Sequence, residues 1–430
     1  MVVVFTYLIM ARKLSPVTAL VIVPTVFAVI AGFRLELGDM MLNGVKQVAP
    51  SAALLLFAIL FFGIMIDAGL FDPLINKMMI FVKGDPLKIA IGTAIIALTV
   101  ALDGDGTTTH MITISAMLVL YLRIGMNPLI LGTISLMAVS IMSSMTPWGG
   151  PATRAIASLG LDANEFFLPL IPTMICGMIC VLCISFVLGK KERARIGIIN
   201  MEEIPSHSFD LLDVASAQSL SIDSDSKRPH LRWVNLFLTI IVMTVLVMGL
   251  LSPAILFLLG FVTAAMINYP NLEEQKERIL SHAGNALTVT VLVFAAGIFS
   301  GIFSGTKMVD AISNSLISII PESIGAFYPL IVALTSIPFT FVLSNDAYYF
   351  GVLPILAEAG SAYGVNVLEI ARASVLGQPV HFLSPLVAST LLLVGMLKTE
   401  LGELQRYAFK WALLVSLFII VIAFITSAIR

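Results

Sequence analysis

The chain has 430 residues, 59% of them hydrophobic and only 12% charged, with a mean hydropathy of +1.03. That much apolar surface cannot be hidden inside a water-soluble domain, so an ordinary soluble enzyme or nucleic-acid-binding module is excluded. The net charge of −2 excludes little, because the placement of Lys and Arg beside apolar runs matters more than their sum.

Apolar runs of about 20 residues recur along the chain with few internal charges, the pattern of membrane-spanning helices. The first run has no basic stretch before it and no small-residue cleavage site after it, so it reads as part of a span rather than a leader. In the first half, crossings are expected near 1–12, 14–33, 50–70, 126–158 and 166–188, with a re-entrant helical hairpin at 86–123 around DGDGTTT. Cys176, Cys180 and Cys183 superficially match an iron–sulfur spacing. They lie inside a lipid-length apolar run, however, and read as small packing residues. The segment 189–231 is charged and Ser-rich and reads as a solvated tether. In the second half, crossings are expected near 232–251, 253–268, 282–304, 366–397 and 404–428, with a hairpin at 324–360 around LSNDA.

A long polar segment near the middle invites a search for a repeat. LSP at Leu14–Pro16 recurs at Leu251–Pro253, and Gly63 and Asp72 are spaced like Gly301 and Asp310. LDGDGT from Leu102 falls opposite LSNDAY from Leu343, GMNPLILGTIS from Gly125 opposite GVNVLEIARAS from Gly364, and Thr146-Pro147 opposite Ser384-Pro385. These pairs keep one order at a nearly constant offset of 237–241 residues. The expected fold is therefore an all-α polytopic membrane protein of two repeats, 1–188 and 232–430. An odd number of crossings in each half makes the repeats inverted. The loops that would share the linker's side hold Arg12, Lys13, Lys77 to Lys88, Arg123, Lys276 to Arg278 and Lys398 to Arg406. The opposite loops after Ser158 and Ala359 carry no Lys or Arg, which places 189–231 in the cytoplasm.

Four short polar islands interrupt the apolar runs at corresponding places. The first is Asp103, Gly104, Asp105, Gly106, Thr107, Thr108 and Thr109; the second runs from Ser143 through Thr146, Pro147, Trp148, Gly149 and Gly150 to Pro151. The third is Ser344, Asn345 and Asp346; the fourth runs from Gly377 and Gln378 through His381 to Ser384 and Pro385. Gly and Pro break helices at such points, and non-helical backbone survives at membrane depth only in protein or beside a wet cavity. Broken helices present free amides that attract carboxylates and free carbonyls that suit hard cations.

Buried carboxylates need a counter-charge, so Asp103, Asp105 and Asp346 are candidates to take a proton or a metal. The bland alternative is that they cap helices at the hairpin tips. Arg154 could hold a substrate carboxylate or serve as a structural ion-paired arginine. His381 could ligate, titrate or hydrogen-bond a broken helix. Trp148 could pack on substrate or plug the break. Glu369 and Arg372, spaced i, i+3, read as a local structural pair. The 21 methionines read as plastic helix packing.

At these islands the sequence resembles the citrate–divalent metal:proton symporter (CitMHS) family of the ion transporter superfamily. The motifs carrying this are LDGDGTTT, GMNPLIL, TPWGGPATRA, LSNDAYYFGVLP and, above all, EIARASVLGQPVHFLSPLV. The resemblance implies uptake of citrate complexed with a divalent cation such as Mg²⁺ or Ca²⁺, driven by protons, with no tightly bound cofactor. It also implies a homodimer in the cell inner membrane, with a fixed scaffold and a mobile domain carrying the hairpins. By the same analogy the loops at Asp103–Thr108, Thr146–Gly150, Ser344–Asp346 and His381–Pro385 surround the substrate. Arg154 and half-helix amides would hold citrate, the acidic set would take metal or protons, and replacing Asp105 with Asn would abolish pH-driven uptake. A dicarboxylate, tricarballylate or gluconate-like anion, coupled to protons or sodium, is the nearest rival cargo. An intramembrane aspartyl protease is disfavoured because positions 102–105 read Leu-Asp-Gly-Asp rather than Gly-x-Gly-Asp. A channel is disfavoured by the repeat with two hairpins.

Overall fold

The computed structural model describes every residue except 12, 83, 199–225, 307, 309–324, 326 and 430. Most of segment 189–231, the start of the second hairpin, and Arg12 and Asp310 therefore lie outside the described residues. In the first half the helices are α1 (Val2–Met10), α2 (Pro16–Ile30), α3 (Leu37–Asp67), α4 (Asp72–Val82), α5 (Pro86–Val100), α6 (Gly106–Arg123), α7 (Pro128–Met145), α8 (Gly150–Leu159), α9 (Ala163–Phe167) and α10 (Ile171–Ile196). In the second they are α11 (Arg232–Val247), α12 (Pro253–Asn268), α13 (Leu272–Gly305), α14 (Tyr328–Val342), α15 (Leu353–Ser361), α16 (Val367–Ser374), α17 (Gln378–His381), α18 (Ala388–Leu397) and α19 (Leu401–Ile425). Among the described residues, seven stretches are long and apolar enough to cross a membrane.

Among the described residues the regular structure is all helical, and the expected breaks fall inside 126–158 and 366–397. The first of these runs is two helices, α7 and α8, and the second is three, α16 to α18. Other limits move. Helix α3 starts at Leu37 rather than near 50, running through Lys46, Gln47 and an internal Pro50. Proline is tolerated there because neighbouring helices can re-satisfy the one carbonyl it leaves without a donor. Helix α10 runs past Lys190 and Lys191 to Ile196, where Arg195 pairs with Glu192 at 2.5 Å. The far end of the polar segment is docked rather than loose. Lys227 pairs with Asp72 at 2.7 Å, Arg228 with Glu274 at 2.8 Å, and the Tyr269 hydroxyl donates to the Ser226 carbonyl. Burial pushes the Tyr269 phenol up to about 12, so it stays a donor at neutral pH.

Two helix groups can be distinguished. One holds α2, α3, α11, α12 and α13, with the closest packing between the long helices α3 and α13. Their backbones touch: a Cβ added at Gly44 would lie 1.9 Å from the Gly297 carbonyl oxygen, and one at Gly301 would lie 2.2 Å from that of Met40. The other group holds α5 to α10 and α14 to α19, wrapped around α7. In the most apolar stretch of α7–α8, 94% of residues are buried, against 17% for α11, which places α7 at a centre and α11 at the periphery. Helix α8 and the tips of both hairpins lie where the groups meet, touching α1, α3 and α13. Arg372 is held by backbone, donating to the carbonyls of Glu165, Phe166 and Ala428.

Candidate functional site

The first tip is a single helical turn, Ala101–Asp103, followed by Gly104 at φ +80°, a conformation glycine adopts without strain. A side chain at Gly104 would also meet the Trp148 ring at 2.9 Å. The turn leaves Asp103 buried, with its carboxylate accepting from the Asp105 amide at 2.9 Å. Asp105 in turn is the N-cap of α6, accepting from the Thr108 amide at 2.8 Å and the Thr108 hydroxyl at 2.7 Å. Gly106 opens that helix against Ser389 of α18, and Thr107 beside it is half-buried.

The second break follows from Pro147 and the paired glycines. Thr146 leaves the helix in an extended conformation, and its hydroxyl donates to the Met142 carbonyl. Gly149 then restarts α8 with its Cα against the Ser143 carbonyl, where an added Cβ would lie 1.9 Å away. Trp148 plugs the gap: its indole N–H donates to the Leu102 carbonyl at 2.8 Å, and its ring packs on Phe62, Phe167 and Phe257. One turn into α8, Arg154 reaches the third break. Its Nε donates to Asp346 at 2.6 Å, and Nη1 donates to the Gly150 carbonyl at 3.0 Å.

On the third tip the Ser344 hydroxyl oxygen accepts from the Ala347 amide, starting a wide helical turn over Ala347–Val352. Asn345 accepts from Gln378 Nε2 at 3.1 Å, which joins the third break to the fourth. The same Gln378 nitrogen reaches the Tyr349 hydroxyl at 2.9 Å, while Gln378 Oε1 is buried with no partner among the described residues. His381 Nδ1 donates to the Thr340 carbonyl on the first arm of that hairpin. A carbonyl can only accept, so the ring proton sits on Nδ1 and leaves Nε2 as the acceptor face. Ser384 is buried and its hydroxyl oxygen accepts from the Leu386 amide, whereas Pro385 is exposed.

Three direct contacts therefore link the four breaks in series: Trp148 to Leu102, Arg154 to Asp346, and Gln378 to Asn345. Sequence reasoning missed several members of this set. Tyr349 orients Gln378, Ser389 backs Gly106, and fully buried His110 on α6 meets the Ser135 hydroxyl at 2.8 Å with its Nε2 unpartnered among the described residues. The partnering of Ser135 with a histidine only 25 residues earlier could have been sought once α6 and α7 were known to pack. A cavity of about 220 Å³ lies elsewhere, between α3, the turn after Gly160 and the start of α12.

The capping geometry gives Asp105 a structural role beside the proton- or metal-taking one expected of it. Asparagine caps helices about as well as aspartate, whereas alanine costs about 1 kcal/mol. Asp105→Asn should therefore leave thermal stability near wild type and Asp105→Ala should lower the melting temperature, so a loss of uptake in Asp105→Asn reads charge rather than folding. Uptake driven by pH should be lost in a folded Asp105→Asn; normal coupled uptake would leave Asp105 as a cap alone.

Broken helices meeting beside an arginine, a buried Asp103 and a half-buried Asp346 are the architecture of the class of secondary transporters. The family model for citrate transporters matches residues 5–377, and this chain belongs to that family. Three relatives from Bacillus subtilis (strain 168) match along nearly their whole length. The uncharacterized transporter YraO is 62% identical, over 100% of this chain and 98% of its own. A citrate transporter is 56% identical over 96% and 94%, and a Mg(2+)/citrate complex secondary transporter is 50% identical over 100% and 97%. In fold the chain is similar to the YdaH transporter of Alcanivorax borkumensis, with a TM-score of 0.54 at 14% identity, covering 91% of this chain and 88% of the other. It is also similar to MtrF of Neisseria gonorrhoeae, with a TM-score of 0.52 at 11% identity, covering 92% and 83%.

Proposed function

We propose that this chain is a symporter that takes up citrate as a complex with a divalent cation such as Mg²⁺ or Ca²⁺, coupled to protons, and performs no covalent chemistry. The observation that carries this reading is the series of contacts joining the four breaks, with Arg154 in the middle of it. The names of the relatives at 56% and 50% identity support citrate and its magnesium complex as the cargo. In this reading Arg154 and the free amides at the start of α8 receive citrate carboxylates. Asp346 faces the cation, and Asp103, buried beside one backbone donor, carries the proton. Gln378 Oε1 is an acceptor suited to the citrate hydroxyl.

The movement we propose is of the elevator type. The α3–α13 group would be the fixed scaffold and the group around α7 the mobile part, which is supported by α8 and both tips lying at the junction. The two halves would be inverted repeats, an idea supported by the order two helices, a long helix, a hairpin, broken helices and a long helix in each, with α4 added before the hairpin of the first half among the described residues. We further propose a homodimer in the cell inner membrane with segment 189–231 in the cytoplasm.

The test is uptake of radiolabelled citrate into proteoliposomes across an imposed pH gradient, with and without Mg²⁺, Ca²⁺ or Zn²⁺. Accumulation above equilibrium is expected only when metal is present and the medium outside is more acid than the lumen, and it should vanish when the pH gradient is reversed. Metal-independent uptake, or uptake displaced better by a dicarboxylate, tricarballylate or gluconate than by citrate, would refute the cargo assignment.

A further inference from the structure

The Arg154–Asp346 pair carries more than the assignment of two binding residues. Its partners lie 192 positions apart, in different halves of the chain, and meet at 2.6 Å. Both side chains retain some exposure, 20% for Arg154 and 15% for Asp346, so a solute can reach them. The residues around the pair are held by other bonds. Ser344 accepts from Ala347 N–H, Asn345 accepts from Gln378, and Arg154 keeps a second bond to the Gly150 carbonyl. Releasing the Asp346 carboxylate would therefore leave both the tip and the guanidinium in place.

We propose that Asp346 is a tethered stand-in for a substrate carboxylate. In the unloaded carrier it occupies Arg154; a carboxylate of the incoming anion displaces it, and the released Asp346 then meets the divalent cation that the anion carries. The inference rests on the citrate–metal reading above and adds the exchange step to it. Its logic is charge conservation at a poorly hydrated place. Arg154 has one carboxylate partner before and after the exchange, and Asp346 has one cationic partner before and after. An anion arriving without metal would strand Asp346 without a counter-charge, which low-dielectric surroundings penalise heavily. The empty carrier, with the pair closed, has neither charge stranded and can return. Magnesium keeps several of its ligand positions for water or protein oxygen even when chelated, so a carboxylate can join its coordination sphere.

The test measures binding to the purified full chain in nanodiscs by titration calorimetry, with citrate alone, Mg²⁺ alone and both together. Coupling between two ligands is reciprocal, so each variant should relax one side of it. In Asp346→Asn the competitor for Arg154 is gone. Metal-free citrate should bind about tenfold tighter than to wild type, and the gain in citrate affinity on adding Mg²⁺ should shrink by a similar factor. In Arg154→Gln the carboxylate is free. Mg²⁺ alone should bind about tenfold tighter, while citrate affinity falls. The variants move in opposite directions, which a general folding defect cannot imitate. Should either fail to fold, infrared difference spectra of the wild-type chain labelled with ¹³C-aspartate give the same answer. Addition of magnesium citrate should convert an arginine-paired carboxylate band to a metal-bound one. An unchanged magnesium gain in Asp346→Asn, or an unchanged aspartate spectrum, overturns the exchange. Failure of the wild-type chain to bind magnesium citrate overturns instead the reading on which it rests.

Discussion

Replacing Gly149 with alanine is expected to abolish citrate uptake while leaving membrane insertion and the two helix groups intact. The added Cβ would fall 1.9 Å from the Ser143 carbonyl oxygen and 2.6 Å from its carbon, both backbone atoms that no rotamer change can move. Relief requires α8 to swing away from the end of α7. That swing would carry Arg154 off Asp346, and it would pull Trp148 from the Leu102 carbonyl, since both lie within five residues of the clash. Losing an indole of this burial from its aromatic socket typically costs about 3–5 kcal/mol, and a parted ion pair adds to it. Uptake in proteoliposomes should fall at least about a hundredfold, which corresponds to about 2.7 kcal/mol or more of lost site geometry. Gly150→Ala is the control. Its Cβ would meet only Arg154 Nη1 at 3.1 Å, the end of a flexible side chain, so a partial loss is expected. Wild-type uptake by Gly149→Ala would mean the break has no part in transport.

The comparison of these neighbouring glycines also shows which parts of the site were legible in the sequence. The breaks themselves were, because Gly and Pro act locally and their effect can be placed from composition alone. The capping of α6 by Asp105 was open to the same local reading. The bonds that join the breaks were not. Arg154 and Asp346 each looked chemically active, but nothing in a linear pattern says that a guanidinium in one half meets a carboxylate in the other, or that an indole closes on Leu102. Helix limits failed where polarity and burial part company. Lys46 and Gln47 interrupt the apolar pattern of α3, yet the helix continues because its backbone bonds need no apolar side chains. Spacing suggested the neighbour Glu369 for Arg372, but not the three backbone carbonyls, of Glu165, Phe166 and Ala428, to which its guanidinium also donates.

Gly301→Leu is expected to fail in a different way, by loss of folded protein rather than of transport alone. Helices α3 and α13 cross with backbone in contact, and the site of an added Cβ at Gly301 is 2.2 Å from the Met40 carbonyl oxygen and 3.0 Å from the Gly44 Cα. Between helices in a membrane, close packing rather than apolar burial drives association, so small residues at a crossing set how near the axes can come. A leucine would hold the axes apart along a crossing where Gly44, Gly297 and Gly305 are also closely packed against neighbours. Dispersion contacts fall off over a fraction of an ångström, and the loss would spread over both helices. At the opposite end of this pair, Gly63 sits against the His282 ring, which bonds Asp67 at 2.9 Å, so a shift of one helix would also disturb that buried acid. The expected result is a destabilisation on the order of 3 kcal/mol or more, read as a lower melting temperature and poor recovery from detergent. Gly284→Leu, on the same helix with open space around its Cα, should melt near wild type. If Gly301→Leu purified and melted like wild type while transporting normally, the α3–α13 crossing could not be the rigid element against which the other helix group moves.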